Sequence, residues 1–474
     1  MCSFLILPIE IYNKIDINKI NKKLKRRGPD NTNIIIHNGY VFIHNLLHMC
    51  GEKVNQPIFN KNKDILILFN GEIYNYLDFG NFISDVECLL YLYEKKGNDF
   101  VKLLDGEFCF VIFDFKKNNI LIYSDIFGTK PIFYTIQKNK IIISSLRSVI
   151  CDIYNYNEFP LKNINLPTQK EKHSNINNIY KNKPNEYLIY DLETYKLLET
   201  NKIHKFELNQ YKLNYDDWFK AFDNAIKKRV DNNINSKIGV CLSSGYDSGI
   251  ICNSLNNNNI KYETYTIIAK ENINTINKRI KINNNKNYVY KLNEDEYLKY
   301  KNKYQKEVEG TNIKIKNNYY NVIGDWAGVG LSYIFERSRK NNCYLFLSGT
   351  GGDEIYSDYG WKGFNIKNKY KNKEDQPGTI MGLYPENLKD VFPWENFFNG
   401  LMECFIAKEE YTGSLYGIEI RYPFLDKNVV QEFLYLKPEL KNNLYKAPLH
   451  KYMSKYNYPF DINQKIGFKA KYTS

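Results

Sequence analysis

The chain has 474 residues, of which 43% are hydrophobic, 15% aromatic and 25% charged. That mix excludes a disordered protein, and at roughly 100–200 residues per domain it makes room for about two to four domains. The formal charge is +13, but the lysines are dispersed rather than gathered into one stripe, which argues against nucleic-acid binding as the main function.

No apolar run approaches the roughly 20 residues that a membrane helix needs. The start, Met1-Cys2-Ser3-Phe4-Leu5-Ile6-Leu7-Pro8, lacks the basic flank and the length of a signal peptide. A cytoplasmic protein is expected. The nine cysteines are scattered with no CxxC pair, which fits a reducing compartment and argues against a disulfide framework or structural zinc. The six histidines form no ligand pattern.

Residues 1–200 read mainly as β. Helices are expected at 16–26 and 84–97. Short apolar runs at 33–37, 41–47, 65–69, 107–113, 120–123, 132–134 and 141–144 predict strands, and their regular spacing suggests a sandwich. The texture changes near residue 205. Residues 214–231 predict one helix, capped by Asn214, with Asp216 and Asp217 in its first turn and Lys227, Lys228 and Arg229 in its last. Strand 238–242, a polar turn and a helix from Ser248 follow. Strands at 264–269 and 344–347 complete a parallel α/β pattern. The Asn-rich patches at 256–259, 283–285 and 317–318 read as loop insertions. Two units follow, 2–200 and 210–474.

Cys2 stands directly after the initiator Met. Removal of Met1 would leave a cysteine with a free α-amine, whose unperturbed pKa of about 7.7–8.0 suits a base near neutral pH. A thiol of pKa about 8.5 needs such help, so nucleophile and base would belong to one residue. Further segments follow in order: Arg26-Arg27-Gly28-Pro29-Asp30, Phe69-Asn70-Gly71-Glu72-Ile73-Tyr74-Asn75, Ser84-Asp85-Val86-Glu87, Leu104-Asp105-Gly106-Glu107-Phe108 and Ser124-Asp125-Ile126-Phe127-Gly128-Thr129-Lys130-Pro131. Together they resemble the class II glutamine amidotransferase domain of glutamine-hydrolysing asparagine synthetases, an N-terminal-nucleophile hydrolase.

The resemblance implies that Cys2 attacks the glutamine side-chain amide, giving a glutamyl thioester and ammonia. Asn70 and Gly71 would form the oxyanion hole. Glu72 and Asp85 would recognise the substrate ammonium. Read alone, Asn-Gly suits a hairpin turn and Asp85 a helix cap. One position departs from the family. Its His-x-Arg-Leu carries an arginine for the glutamine carboxylate, whereas this chain has His44-Asn45-Leu46-Leu47. Losing that clamp costs of the order of a few kcal/mol of binding unless another cation substitutes.

In the second half, Cys241-Leu242-Ser243-Ser244-Gly245-Tyr246-Asp247-Ser248 lies between strand and helix. Small residues there let backbone N–H groups and hydroxyls hold an anion at a helix N-terminus. The segment resembles the SGGxDS loop of N-type ATP pyrophosphatases, with Ser244 in place of a glycine. Leu347-Ser348-Gly349-Thr350-Gly351-Gly352-Asp353-Glu354 and Gly417-Ile418-Glu419-Ile420-Arg421-Tyr422-Pro423-Phe424-Leu425-Asp426 extend the resemblance to the synthetase domain. It implies nucleotide contacts at Leu242, Ser243, Ser244, Gly245, Asp247, Ser248, Ile268, Ser348 and Gly349. Asp247 and Asp353 would hold Mg²⁺ against the triphosphate. Lys446 would neutralise phosphate charge, and Lys465 resembles a further basic motif at the tail. Thr350 stands where the family carries a catalytic glutamate. General acid–base help from such a group is worth about 10²–10⁴-fold, and threonine cannot supply it.

The fold implied is an α+β sandwich (αββα-like) followed by an α/β parallel-sheet domain. The activity implied is ATP-dependent, glutamine-hydrolysing asparagine synthesis through β-aspartyl-AMP, with Mg²⁺ and ATP, no organic prosthetic group and, as in the bacterial-type members, a homodimer. Three alternatives stay open. One is a related ligase with another carboxylate substrate, the second an impaired member with a binding role, and the third a pyrophosphatase-loop enzyme acting on tRNA.

Overall fold

A computed structural model describes residues 1–155, 168–169, 179–231, 235–269, 271–283, 285–315, 318–357 and 384–461. Strands and helices are numbered separately in chain order, and only helices of eight or more residues take a number.

The first half is two antiparallel six-stranded sheets stacked face to face. One contains β1 (Ser3–Pro8), β2 (Asn31–His37), β3 (Tyr40–Leu46), β8 (Phe133–Ile136), β9 (Ile141–Ser144) and β11 (Tyr180–Lys181), in the order β11-β8-β9-β1-β3-β2. The other contains β4 (Ile58–Phe59), β5 (Ile65–Ile73), β6 (Gly106–Asp114), β7 (Asn119–Ser124), β12 (Glu186–Asp191) and β13 (Leu197–Lys202), in the order β13-β12-β7-β6-β5-β4. Alternation along each strand sorts the side chains. In β1, Phe4 and Ile6 enter the core between the sheets with Phe42, Leu66, Leu68 and Val111. Leu5 and Leu7 face the other way, toward α1 (Ile17–Arg27) and α3 (Arg147–Tyr154). The second sheet packs its outer face on α2 (Asp85–Lys96) through Val86, Leu89 and Leu92. The result is the expected αββα sandwich.

Strand β1 was not anticipated, although it is as fully buried as β3 and β9, which were. The Asn-Gly at 70–71 is no turn: both residues lie inside β5, paired with Cys109 and Phe108 of β6.

The second half centres on a parallel sheet of order β16-β15-β14-β19-β20, with β14 at Lys237–Cys241, β15 at Glu263–Ile267, β16 at Asn287–Tyr290, β19 at Cys343–Leu347 and β20 at Glu419–Arg421. Its helices are α4 (Asp216–Val230), α5 (Tyr246–Asn257), α6 (Ile273–Ile282), α7 (Glu294–Glu307), α8 (Trp326–Lys340), α9 (Leu401–Tyr416), α10 (Lys427–Tyr435) and α11 (Ala447–Lys455). Helix α4 starts one residue later than an Asn214 cap requires. Tyr215 is the cap residue, and Asn214 instead accepts the Asp216 N–H at 3.0 Å. Asn256 and Asn257 form the last turn of α5, and Asn318 opens β18 (Asn318–Asn321), which joins β10 (Thr168–Gln169) and β17 (Asn312–Ile315) in a small sheet.

Chain order in the parallel sheet reverses between β14 and β19. Ligand crevices of open α/β sheets form at such a switch, outside the carboxyl ends of the strands. The segments after β14 and β19 both emerge there.

Candidate active site

Cys2 is buried at the head of β1, and its thiol donates to the Leu47 carbonyl at 3.8 Å. Burial pushes the thiol up to about 11, with the nearby Glu419 and Glu72 carboxylates adding to the rise and the chain's terminal ammonium opposing it. With Met1 in place, that ammonium pairs with Glu419 at 2.9 Å. Arg27 fixes the Cys2 backbone by donating Nε–H to its carbonyl at 2.8 Å, while Nη2 pairs with Glu410 of α9 at 2.6 Å.

Asn70 is fully buried, its amide nitrogen 3.9 Å from the Cys109 sulfur and its Oδ1 without a partner. Gly71 has φ +140°, and a Cβ there would run into the Glu107 carbonyl oxygen; both facts demand glycine. Asp85, the first residue of α2, accepts the Ile73 N–H at 3.1 Å and so ties the end of β5 to that helix. Burial pushes Asp85 up to about 6 and Glu72 up to about 8.

Leu46 is buried and offers no charge. The cation beside Glu72 comes from the other half of the chain. Arg421 Nη2 lies 3.1 Å from Glu72 Oε1 and 3.3 Å from the Cys50 sulfur. The sequence places Arg421 only within a synthetase motif, and nothing in it signalled proximity to Glu72.

In the second constellation, Gly245 caps α5. The Ser243 N–H donates to Ser248 Oγ at 3.1 Å, and the Gly245 N–H to Ser243 Oγ at 3.1 Å. Beneath the loop, Arg279 donates to the Ser243 and Gly245 carbonyls at 2.6 and 2.8 Å. Above it, the Glu271 carboxylate accepts from both the Ser244 N–H (2.7 Å) and the Ser244 hydroxyl (2.6 Å). A carboxylate therefore occupies the seat that suits a phosphate oxygen. Neither Arg279 nor Glu271 was singled out from the sequence, for they belong to no motif. Leu242 is buried behind the loop, and the Ile268 N–H is engaged by the Tyr290 carbonyl at 2.8 Å.

The segment after β19 closes on this loop. A Cβ on Gly349 would sit 2.7 Å from the Asp247 Cβ, so the two segments approach only because that residue is glycine. Lys446 Nζ lies between Asp247 (2.5 Å) and Asp353 (2.9 Å). The two carboxylates raise the ammonium above its ordinary value against burial. Lys446 adopts φ +47°, a left-handed conformation that costs a lysine about 1–2 kcal/mol and turns its side chain onto the pair. Thr350 is buried, and its N–H donates to Ser348 Oγ at 3.0 Å. Glu354, the other carboxylate of that segment, accepts the Gly351 N–H at 2.7 Å. Lys465 lies outside the described residues.

Two carboxylates converging on one positive point fit a divalent cation. Among the described residues no three metal-ligating side chains cluster. Mg²⁺ commonly takes one or two carboxylates and completes its shell with substrate phosphates and water, and the Asp247 and Asp353 oxygens are donors of that kind.

Residues 1–198 match a glutamine amidotransferase domain model, and residues 218–392 match an asparagine synthase model. Two Methanocaldococcus jannaschii proteins named asparagine synthetase [glutamine-hydrolyzing] 1 and 2 are similar to this chain. They are 26% and 28% identical, over 90% and 86% of this chain and 78% and 84% of their own lengths. Asparagine synthetase [glutamine-hydrolyzing] 2 of Lotus japonicus is 23% identical over 90% of this chain and 68% of its own. No helix among the described residues is long and apolar enough to cross a membrane. The domain pair, in this order and over this extent, makes the chain a glutamine-hydrolysing ligase, a member of the glutamine-hydrolysing asparagine synthetase family.

Proposed function

We propose that the protein makes L-asparagine from L-aspartate, L-glutamine, ATP and water, releasing L-glutamate, AMP and diphosphate, with a glutaminase unit over 2–200 and a synthetase unit over 210–474. The observation that carries the synthetase half is the Asp247–Lys446–Asp353 cluster at the sheet's switch point, where the Ser243–Ser248 and Ser348–Glu354 segments meet.

At the first site, removal of Met1 frees the Cys2 amine. The amine takes the thiol proton, the thiolate attacks the glutamine side-chain carbonyl, a C–S bond forms, and the C–N bond breaks as the amine passes that proton to the departing ammonia; water then cleaves the C–S bond, releasing glutamate and the Cys2 thiol. Asn70 and the Gly71 N–H face the developing oxyanion, and Glu72 and Asp85 hold the substrate ammonium. Arg421 supplies the cation that Leu46 lacks, an assignment supported by its place beside both Glu72 and Cys50.

At the second site, the loop 243–248 receives the β- and γ-phosphates once Glu271 leaves Ser244. Leu242, Ile268, Ser348 and Gly349 contact the nucleoside. Mg²⁺ held by Asp247 and Asp353 would screen the triphosphate, and Lys446 would neutralise charge on the departing pyrophosphate. Aspartate's carboxylate attacks the α-phosphorus, pyrophosphate leaves, and ammonia then displaces AMP. The ammonia is delivered through the interior between the two sites.

Pyrophosphate release from ATP and Mg²⁺, with and without aspartate and with glutamine or ammonium as donor, tests the assignment. Aspartate-dependent release with asparagine formed from either donor is the expected result. Release with ammonium only would place a fault at the glutamine site. Release that depends on a carboxylate other than aspartate would favour the second reading, a sibling ligase, for which Thr350 in place of glutamate is the motivating observation.

A further inference from the structure

The Thr350 substitution removes a carboxylate from the segment after β19, yet a carboxylate is present there. Helix α9 brings Glu409 against it: Ser348 Oγ donates to Glu409 Oε2 at 2.7 Å, and the Thr350 hydroxyl is a second donor to the same side chain. Glu409 lines a cavity of about 60 Å³ bounded also by Ser348, Gly349, Cys241, Ser248 and Phe346. Those are the carboxyl ends of β14 and β19 and the start of α5, the place that the nucleotide-facing residues share. A cavity of that size accommodates ammonia or a few waters. Its neighbour Glu410 points the other way, to Arg27 at 2.6 Å and Lys130 at 2.8 Å beneath the Cys2 site. Two consecutive residues of one helix therefore face the two sites.

We propose that Glu409 is a catalytic residue of the synthetase reaction, the general base that replaces the glutamate absent at position 350 and takes a proton from ammonia as it attacks the acyl-adenylate. The inference rests on the adenylation chemistry assigned to the Asp247–Lys446–Asp353 site. The nitrogen lone pair forms a C–N bond to the activated carbonyl carbon. The C–O bond to the phosphate breaks, AMP leaves with that electron pair, and one proton of the former ammonia ends on Glu409, which returns it to solvent.

Several groups face this carboxylate. Lys408 and Glu410 flank it on α9, Ser348 and Thr350 donate to it, and Cys241 and Tyr422 lie within electrostatic reach. Burial outweighs the donors and Lys408 and pushes Glu409 up to about 6, a value near the operating pH at which a general base works best. Glu354 accepts the Gly351 N–H at 2.7 Å and does not line the cavity.

The test uses the full chain with Met1 removed and ammonium as donor. Aspartate-dependent ATP–pyrophosphate exchange reports adenylation, and asparagine formation reports the attack by ammonia. In Glu409→Gln the ratio of asparagine formation to exchange is expected to fall by about 10²–10⁴-fold. At a fixed concentration of free NH3, the acid limb of the asparagine pH profile near pH 6 is expected to vanish. Trapping by hydroxylamine, a nucleophile less dependent on a base, is expected to persist. Thr350→Glu added to Glu409→Gln is expected to recover at least about tenfold of the lost ratio. An unchanged ratio, or exchange and amide formation falling together, would overturn the proposal, because a residue that merely props Ser348 would act on both steps. If the unaltered protein shows no exchange with any carboxylate, the adenylation reading itself fails, and the role of Glu409 falls with it.

Discussion

Glu271 is seated on the Ser244 N–H and hydroxyl, and under the proposed binding of ATP phosphates by this loop it would act as a built-in competitor. Glu271→Gln keeps the shape and turns a charged acceptor into a neutral one. A hydrogen bond to a charged group is worth about 1.5–3 kcal/mol and a neutral one about 0.5–1.5, so each of the two bonds weakens by about 1 kcal/mol. The pair loses about 2 kcal/mol before solvent screening, and partial exposure of the side chain reduces that figure. Because ATP must displace this side chain, apparent ATP affinity should rise by about 5- to 30-fold. Titration calorimetry with Mg–ATP and no aspartate measures it. Burial raises the Glu271 carboxyl above its ordinary range. Lowering the pH should therefore neutralise this competitor at a higher pH than it would an ordinary glutamate, and narrow the gap between the unaltered protein and the variant. Unchanged or weaker binding in Glu271→Gln would show that the carboxylate does not compete for the anion seat.

Three further outcomes are expected. Gly71→Ala forces a Cβ into the Glu107 carbonyl at a positive φ, a strain of the order of 1–3 kcal/mol. Glutamine-dependent synthesis should fall at least about tenfold while ammonium-dependent synthesis persists, as parallel assays with the two donors would show. Arg421→Lys cannot reach Glu72, Glu419 and the Arg229 carbonyl together, so the KM for glutamine should rise about tenfold or more with little change in the KM for ATP; steady-state kinetics on both substrates decides it. His44 is buried beside the Phe69 carbonyl, and burial lowers it to about 4. Its folded value lies below its unfolded value of about 6.5, so its contribution is fully present above pH 6.5 and is lost as pH falls through 4. The drop is of the order of 3 kcal/mol, and the unfolding free energies of the protein and of His44→Asn, from denaturant titrations, should change between pH 7 and 4 by amounts that differ by about that much.

The motifs were legible because each is a short run whose side chains act near their own backbone. The Ser243–Ser248 loop shapes itself, and Asn70-Gly71-Glu72 is presented by one strand. What the sequence concealed are the groups that arrive from elsewhere. Arg421 meets Glu72 across 349 positions, and Glu409 meets Ser348 across 61; no local period encodes either approach. Elements were readable where one face is wet, as in α1, whose Ile20 and Leu24 are inward and whose last turn is basic. Full burial did not by itself hide a strand, since β3 and β9 stand out as unbroken apolar runs; in β1 the same kind of run is closed by Pro8 and reads as a chain start carrying Cys2.

The same long-range pairs decide whether the two halves can be separated. Arg27, Lys130, Arg229 and Arg421 are all buried, and each is neutralised by a carboxylate from the opposite half: Arg27 and Lys130 by Glu410, Arg229 by Glu107, and Arg421 by Glu72. Removing one partner of a buried pair costs about 3–5 kcal/mol, because the other charge is left uncompensated. Arg229 and Arg421 also pair with Asp426 and Glu419 of their own half, so the cations that depend on the opposite half are Arg27 and Lys130, which share Glu410. The apolar contacts give the same answer, since Leu5, Val41 and Val149 of the sandwich belong to one continuous core with Ile250, Leu345 and Ile420 of the parallel sheet. A sandwich expressed without the parallel-sheet half would expose that apolar face and leave Arg27 and Lys130 without Glu410. The interface is thus part of the fold of each half, and a passage for ammonia between the two sites would run through rigid, charge-paired protein rather than through a hinge.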